Sequence, residues 1–316
     1  MTHIWIIRGA RATTVLVLLG LVTMSLPMLL TGNPALVVLG PEATPERIAT
    51  FLADLDLEDP PPVRLWNWVW NAAAGDLGTS LVTGRPVAGE IAQRLPVTLE
   101  LLIASQIVAI AIALPLAMAS AWKPGRSIDR FGTLLAFVMI ATPPFILALG
   151  LIAIFAVALG VLPATGWRDI SSDPLGHLRH LILPVFATGL AESAVLVRLL
   201  RADLIETLEQ PYILAAESRR MSVPRLLLTR ALRPSSFSAL TIVGLTLGLA
   251  FGGSILIESI FAIPGMGQLA MTAIETRDFP VIEAVIIFSG LAVVVASIAV
   301  DVVYAFVDPR TRHVSR

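Results

Sequence analysis

The sequence contains no cysteine and only one lysine, and these two shortages exclude several kinds of chemistry. Without cysteine, the chain has no disulfide, no thiolate metal site and no cysteine nucleophile. The single lysine, Lys123, stands between Trp122 and Pro124. A phosphate-binding P-loop requires Gly-Lys-Ser or Gly-Lys-Thr, so this chain carries no P-loop. If the protein uses ATP, a partner must hydrolyse it.

Charged residues are scarce as well, at 14% of the 316 residues, whereas apolar residues make up 56%. Soluble domains average about 25% charged and about 45–50% apolar residues. A soluble protein of this length cannot bury so much apolar surface, so the composition indicates an integral membrane protein. Aromatic residues reach only 6% and the apolar runs are unbroken, which argues against an outer-membrane barrel. The net charge of −1 indicates no nucleic-acid partner.

Six apolar runs are long enough to cross a membrane, for which about 20 residues are needed. They cover residues 12–31, 97–121, 131–162, 181–200, 240–261 and 281–307. The first run resembles the core of a signal peptide, but such cores span only about 7–15 residues. No small-x-small cleavage site follows it closely, so we interpret it as a retained first span. The pattern predicts six transmembrane helices.

The distribution of basic residues predicts the orientation. Six spans place both termini on the same side of the membrane. The termini and the loops on their side carry 15 lysine and arginine residues, whereas the loops on the other side carry seven. Because basic residues accumulate in cytoplasmic loops, the side with 15 is predicted to be cytoplasmic.

The external loop between the first two spans, residues 32–96, is too long for a simple connector. Three tryptophans follow one another at alternate positions, Trp66, Trp68 and Trp70. Tryptophan is enriched where a membrane meets water, so this stretch predicts side chains at the level of the lipid headgroups. An aromatic cage around a ligand is the alternative interpretation.

Signatures of enzymes are absent from the sequence, which contains neither H-E-x-x-H nor G-x-S-x-G. His177 and His180 would face the same way on a helix. They lack a third ligand nearby and precede a span, so we interpret them as histidines at the membrane interface rather than as a metal pair. We predict no catalytic, cofactor or metal site.

Acidic residues inside predicted spans are candidates for function because charges in lipid are unfavourable. Glu192 lies near the middle of the fourth span and Asp301 toward the cytoplasmic end of the sixth, whereas Glu100 and Glu258 lie nearer the ends of theirs. Glu192 has three open interpretations: an interhelical hydrogen bond, a group facing a cavity or gate, and a proton-relay carboxylate. Glu192 and Glu258 are the candidate pathway or gate residues.

The connection between the fourth and fifth spans has the most informative pattern. Pro211 begins a short helix, Tyr212 to Arg220, with a face of adjacent alanines, Ala215-Ala216. Ser222 caps a second helix, which has a proline in its first turn. That helix carries Leu226, Leu227, Leu228, Arg225, Arg230 and Arg233. The pattern predicts a basic helix–turn–helix on the cytoplasmic face, which either rests on anionic lipid or docks a partner through alanines and arginine–carboxylate contacts.

Residues 212–234 resemble the coupling loop, or EAA loop, of binding-protein-dependent ABC importer permeases. Further segments resemble one branch of that family, the inner-membrane permeases of dipeptide, oligopeptide and nickel importers. These segments lie at 39–46, 75–81, 84–87, 94–100, 162–166, 180–184, 252–268, 277–280 and 300–310, and the strongest is 252–268. The resemblance assigns the contacts with an ATPase to Tyr212, Ala215, Ala216, Glu217, Arg219, Arg220, Ser222 and Arg225.

The resemblance implies an all-α polytopic membrane protein with the type I ABC importer transmembrane fold and both termini in the cytoplasm. Residues 1–96 would form the first transmembrane helix and the long external loop. Residues 97–312 would form the ABC transmembrane domain, with the coupling loop at 204–236, and 313–316 a tail. Such a membrane half does no covalent chemistry and opens its pathway alternately to each side under the action of ATPase partners.

The resemblance also implies a multi-pass protein of a prokaryotic cytoplasmic (inner) membrane that imports di- or oligopeptides. Its partners would be a second permease subunit, homologous or identical, two cytoplasmic ABC ATPases, an external solute-binding protein and membrane lipid. The coupling loop of the family usually has glycine where this chain has Arg220. Because glycine adopts positive φ freely, the arginine predicts a different local turn or a helix that continues further.

Two other functions remain open on the residues alone. A proton- or ion-coupled secondary transporter would use Glu192 and Asp301 as coupling groups, although the sequence shows no inverted repeat and no pair of matching broken helices. A membrane scaffold would have no transport role.

Overall fold

The computed structural model describes residues 2–29, 35–36, 40, 43–46, 48–49 and 59–307. Within these ranges the chain is almost entirely helical, and its extended pairing is confined to one antiparallel bridge between Thr79 and Pro86. This confirms the predicted all-α class.

Eleven α-helices of the described residues form the two units and the candidate site. They are α1 (Thr2–Leu29), α2 (Pro61–Ala73), α3 (Val87–Trp122), α4 (Ser127–Ala141), α5 (Pro144–Leu151), α6 (Pro174–Leu208), α7 (Pro211–Ser218), α8 (Val223–Leu226), α9 (Leu232–Phe261), α10 (Met266–Thr276) and α11 (Phe279–Val307). Two π-helical segments, Ile152–Ala158 and Leu227–Ala231, continue α5 and α8.

Four helices are long and apolar enough to cross a membrane unbroken: Gly9–Pro27, Val87–Trp122, Pro174–Leu208 and Phe279–Val300. Two further spans are bent pairs. Ser127–Ala141 and Pro144–Ala158 meet at 104°, and Val223–Gly248 and Ala250–Phe261 meet at 56°. Counting each pair as one span gives six, in agreement with the six predicted runs.

The sharp bend in the third predicted span follows from two consecutive prolines. Proline lacks a backbone N–H and disfavours helical geometry in the residue before it. Thr142 accordingly leaves the helix with φ −97° and ψ 117°, and Pro143 is also extended, with φ −56° and ψ 142°. Pro144 then starts α5, since the first turn of a helix needs no N–H donor. The run predicted as one helix is therefore two.

The chain forms two compact units. The first comprises the described residues within Met1–Thr98 and Pro264–Val294. Its apolar core joins the start of α3, α10 and the first turns of α11, through Leu77, Val87, Ile91, Met266, Leu269, Ala273, Val281, Ala284 and Val285. Asp278 also holds the loop before α3 in place. Its carboxylate accepts hydrogen bonds from the Ser80 hydroxyl at 2.5 Å and the Leu81 N–H at 3.1 Å.

The second unit comprises Leu99–Ile263 and the described residues within Val295–Arg316. Helix α6 is its centre and packs against α4, α5 and α9. Small residues allow close approach, since a Cβ atom at Gly189 would lie only 2.9 Å from the carbonyl oxygen of Ser105 on α3. Alanines dominate the nearby buried cluster, formed by Ala109, Ala113, Ala136, Ala194, Leu196 and Val197.

Candidate functional site

The connection between α6 and α9, hereafter the 211–231 segment, consists of short helical pieces that pack against α3 and α6. Helix α7 is followed by a turn, and α8 runs through the π-helical residues Leu227–Ala231 directly into α9. The prediction of a separate second helix is therefore wrong. Its leucines and arginines form the beginning of the long helix that becomes the fifth span.

The inner face of the 211–231 segment is buried. Ile213, Ala216, Leu226, Leu227 and Ala231 pack with four residues of α3 and α6, namely Ala117, Ala121, Leu200 and Leu204. These helices hold the segment to the membrane part of the second unit by apolar contact.

The predicted Ala215-Ala216 face is not a single face. Ala216 is 8% exposed and belongs to the buried cluster, whereas Ala215 is exposed. Consecutive residues of an α-helix point about 100° apart, because the helix has about 3.6 residues per turn. Of the two alanines, only Ala215 is available to a partner in this structure.

The outer face of the 211–231 segment combines apolar and basic side chains. Tyr212 and Leu214 are 46% and 57% exposed. The exposed polar members are Glu217, Arg219, Arg220, Ser222 and Arg225. Within the described chain, the guanidinium groups of the three arginines form no ion pair. An apolar patch bordered by unpaired cations suits an acidic partner surface.

The turn after α7 is a Schellman motif with arginine at its left-handed position. Arg220 has φ 56°, its N–H donates to the Glu217 carbonyl at 2.8 Å, and the Met221 N–H donates to the Ala216 carbonyl at 3.3 Å. This is the hydrogen-bond pattern that glycine usually permits. Both predictions made from Arg220 are therefore wrong. The helix ends at Ser218, and Arg220 itself adopts the conformation that glycine adopts most easily.

Ser222 occupies the N-cap position of α8, as predicted, with extended backbone angles of φ −64° and ψ 143°. Its side chain makes no capping hydrogen bond. The predicted position is thus confirmed and the predicted capping interaction is not found. The exposed hydroxyl remains at the surface of the 211–231 segment.

An ion pair missed at the sequence level joins α4 to α6. Arg201 Nε lies 2.5 Å from Asp129 Oδ1, and Arg201 Nη2 lies 2.8 Å from Oδ2. Asp129 Oδ2 also accepts the Gly125 N–H at 2.7 Å. Leu200 and Leu204, which belong to the apolar cluster that contacts the 211–231 segment, lie close to Arg201 on α6. The only sequence signal was an acid near the start of one predicted span and an arginine near the end of another.

Glu192 lies on α6, and within the described residues its side chain forms no interhelical hydrogen bond. Its Oε2 atom is buried and has no hydrogen-bond partner in the described part of the chain. The predicted interhelical hydrogen bond is therefore not found within the described chain, and the gate and proton-relay roles stay predictions. Four other buried polar atoms likewise have no hydrogen-bond partner among the described residues: Trp68 Nε1 of α2, and Ser105 Oγ, Gln106 Nε2 and Ser120 Oγ of α3.

Glu258 is completely buried near the end of α9. Its backbone carbonyl accepts the Ile263 N–H at 2.8 Å, where Ala262 takes the left-handed conformation with φ 51°. Its proposed pathway or gate role stays a prediction. The side chain of Asp301 lies outside the described residues, although its backbone belongs to α11.

The two histidines occupy different environments, and their interpretation as residues at the membrane interface stays a prediction. His177 is 1% exposed, with Nε2 at 2.6 Å from Glu100 Oε1 and Nδ1 at 2.8 Å from the Arg168 carbonyl oxygen. Trp167 packs edge-on against its ring at 4.9 Å. His180 Nδ1 instead bonds the Gly176 carbonyl at 2.7 Å. Nowhere in the described ranges do three metal-ligating side chains cluster.

The loop that supplies Arg168 lies outside the spans and is braced by an exposed carboxylate. Ser171 donates both its hydroxyl, at 2.7 Å, and its N–H, at 2.8 Å, to Asp169 Oδ1. These hydrogen bonds hold the pKa of Asp169 below its usual range, because they stabilise the ionised carboxylate. The loop thus keeps the Arg168 carbonyl in place against His177.

Comparison with known proteins identifies the family. Residues 111–313 match the model described as "Binding-protein-dependent transport system inner membrane component", and residues 1–102 match the corresponding N-terminal model. The chain is 36% identical over 313 residues to the "Putative peptide transport system permease protein" of Brucella abortus (strain 2308), covering 99% of this chain and 100% of that protein. It is 35% identical over 285 residues to the "Glutathione transport system permease protein GsiC" of Salmonella typhimurium, covering 90% of each. The chain therefore belongs to the inner-membrane permease subunits of binding-protein-dependent ABC importers.

Proposed function

We propose that this chain forms half of the translocation pathway of an ATP-driven importer of di- or oligopeptides. A second permease subunit, identical or related, would supply the other half. Two cytoplasmic ATPases would complete the assembly, one of them bound to the 211–231 segment of this chain, and an external solute-binding protein would deliver the substrate. Membrane lipid would surround the six spans, five of which belong to the proposed transmembrane domain, residues 97–312.

The observation that carries this proposal is the two-sided construction of the 211–231 segment. Its outer face offers exposed apolar side chains and unpaired arginines, whereas its inner face is packed into α3 and α6. An ATPase that moves when it binds ATP would push this face, and tightly packed apolar contacts transmit such displacements because packed interiors deform little. Because the segment continues directly into α9, the same displacement would also reach the membrane helices through α9.

A peptide substrate is proposed from the relatives. One is named as a peptide permease and another as a glutathione permease, and glutathione is itself a small peptide. The permease would perform no covalent step. Its contribution would be a pathway whose open side depends on the state of the ATPases, which is a population shift between two conformations.

Reconstitution in vesicles tests the proposal. The chain, its partner permease, the ATPases and the solute-binding protein are incorporated, and uptake of a labelled dipeptide series is measured with ATP on the ATPase side. We expect uptake that requires ATP and the binding protein and that persists when a protonophore abolishes the proton gradient. Uptake driven by a proton gradient without ATP would instead support the secondary transporter, in which Glu192 carries the proton.

A further inference from the structure

Helix α2 has one face turned to the protein and one that is exposed and uncharged. Leu65 and Trp68 are partly buried, and Trp68 packs against the core of the first unit. The opposite face carries large apolar side chains with high exposure: Val63 at 41%, Trp66 at 68%, Val69 at 49% and Trp70 at 70%. An exposed face of this size without charge is unusual for a helix surrounded by water.

The only charged residue of α2 is turned inward, which fixes the rotation of the helix. Arg64 is 5% exposed, and its Nη2 donates to Glu283 Oε1 of α11 at 2.8 Å. Its Nη1 donates to the carbonyl oxygen of Met24 on α1. Because a buried arginine without these acceptors would be strongly unfavourable, other rotations of α2 are excluded. Sequence reasoning missed this pair, although an acid just inside an apolar run was a visible signal.

The contacts of α2 place it alongside the end of a membrane span. Leu65 lies against Gly20, where a Cβ atom would come within 2.6 Å of Leu65 Cδ1, and Arg64 binds the backbone at Met24. Both α1 residues belong to the last two turns of the span Gly9–Pro27. An exposed side chain between these two contacts, Val22 at 60%, belongs to the same span. The exposed face of α2 thus lies beside an exposed apolar side chain near the end of a candidate membrane span.

The centre of the exposed face is a pair of stacked indoles flanked by amides. The rings of Trp66 and Trp70 have centroids 6.4 Å apart and planes 18° from parallel. Asn67 and Asn71 line the hollow beside them. Indoles combine an apolar body with an N–H donor, and they concentrate where hydrocarbon meets headgroups. The asparagine amides supply hydrogen bonds that headgroup oxygens and interfacial water can satisfy.

We infer that α2 is an interfacial helix whose Trp66–Trp70 face inserts into lipid at the level of the headgroups. The face is uncharged, it continues a lipid-facing span, and its rotation is locked by Arg64. The residues between the first two spans therefore include a membrane-bound element rather than only an external loop. This inference does not depend on the proposed transport function.

Quenching of tryptophan fluorescence tests the inference on the full chain in nanodiscs. Wild type is compared with the Trp66→Phe/Trp70→Phe variant, so that the difference reports the two exposed rings, and Trp68→Phe is the matched control on the inner side of α2. We expect the fluorescence that is present in wild type and missing in the double variant to be quenched by lipids brominated near the headgroup end of the acyl chain. It should be quenched at least twofold less by lipids brominated at the chain terminus or by aqueous iodide.

A second measurement covers the case in which the double tryptophan variant does not fold. Because the chain has no cysteine, a spin label can be attached at Val69→Cys alone. We expect its relaxation to respond to oxygen, which concentrates in lipid, more than to a water-soluble nickel complex. Strong accessibility to iodide and nickel would overturn the inference in favour of an aqueous surface. Protection from all quenchers would also overturn it, in favour of a protein partner or a bound ligand.

Discussion

Arg201 of α6 donates hydrogen bonds to both carboxylate oxygens of Asp129 on α4, from Nε at 2.5 Å and from Nη2 at 2.8 Å. The pair joins two helices beside the cluster that holds the 211–231 segment. Two parallel hydrogen bonds between charged groups are stronger and more directional than one. The position of α4 relative to α6 at this end of the bundle therefore depends on residues 72 positions apart.

Replacing Asp129 with asparagine should lower the stability of the folded chain. An amide cannot accept both guanidinium hydrogen bonds, and a lost hydrogen bond to a charged group costs about 1.5–3 kcal/mol. Arg201→Lys should not preserve stability, because an ammonium cannot form the two-point contact. Thermal unfolding in detergent checks both variants, with the exposed Arg198→Lys as control. An unchanged melting temperature in Asp129→Asn would contradict a stabilising role.

Bulky substitutions at two adjacent alanines should have different consequences. Ala215→Trp alters only the exposed face, so the protein should insert at normal levels but lose its ATPases on purification and fail to transport. Ala216→Trp overfills the buried cluster, which costs about 1–3 kcal/mol, and should reduce the amount of folded protein. Membrane levels, co-purified ATPase and peptide uptake are measured. Normal uptake with bound ATPases in Ala215→Trp would remove α7 as the docking surface and shift attention to Arg219, Arg220 and Arg225.

Substitutions at Arg220 should separate the conformation of the turn from its charge. Arg220→Gly should keep or slightly raise stability, because a left-handed backbone costs a residue with a Cβ about 1–2 kcal/mol. Arg220→Asn also tolerates this conformation and removes the charge. We expect both variants to weaken ATPase association to a similar extent and to make it less sensitive to salt. Unchanged association in both would show that the guanidinium makes no contact with the ATPase.

Glu192→Gln should leave transport near normal. The amide has the shape of the carboxylate, and Glu192 Oε2 has no hydrogen-bond partner among the described residues that the change would remove. Uptake is measured with ATP held constant, with and without a protonophore. Abolished uptake in the variant, together with collapse of wild-type uptake under the protonophore, would move the assignment to a proton-coupled transporter.

Single introduced cysteines should report the orientation, since the chain has none of its own. Thr83→Cys and Ser172→Cys should react with an impermeant thiol reagent in intact cells. Ser127→Cys and Ser222→Cys should react only after the inner membrane is opened. All four positions are exposed, whereas Ser80 is 4% exposed and bonded to Asp278, so it is unsuitable. Labelling of Ser222→Cys from outside would reverse the predicted orientation.

The sequence by itself determined the properties that depend on local composition and on short motifs. Apolar runs are long because each span must cross the hydrocarbon with its own residues, so six spans were visible without tertiary information. A P-loop is likewise a contiguous motif, and the residues on either side of Lys123 were enough to exclude it. The family resemblance rests on contiguous residues too. The predicted helix ends were less accurate: α3 begins at Val87, ten residues before the predicted run, because Glu90, Gln93 and Arg94 interrupt the apolar pattern of its first turns.

Only the tertiary structure decided which neighbours meet. Ala215 and Ala216 are chemically identical, and their different exposure arises from the packing of α7 against α3 and α6. Arg64 and Glu283 stand 219 positions apart, so the sequence marked Glu283 as an acid inside an apolar run but did not identify Arg64 as its partner. Arg220 takes φ 56° because two hydrogen bonds and the packing of Met221 against the buried cluster favour the turn, which outweighs the preference of an arginine backbone. Pairing, burial and backbone strain depend on residues distant in the chain, and those became known only when the helices were assembled.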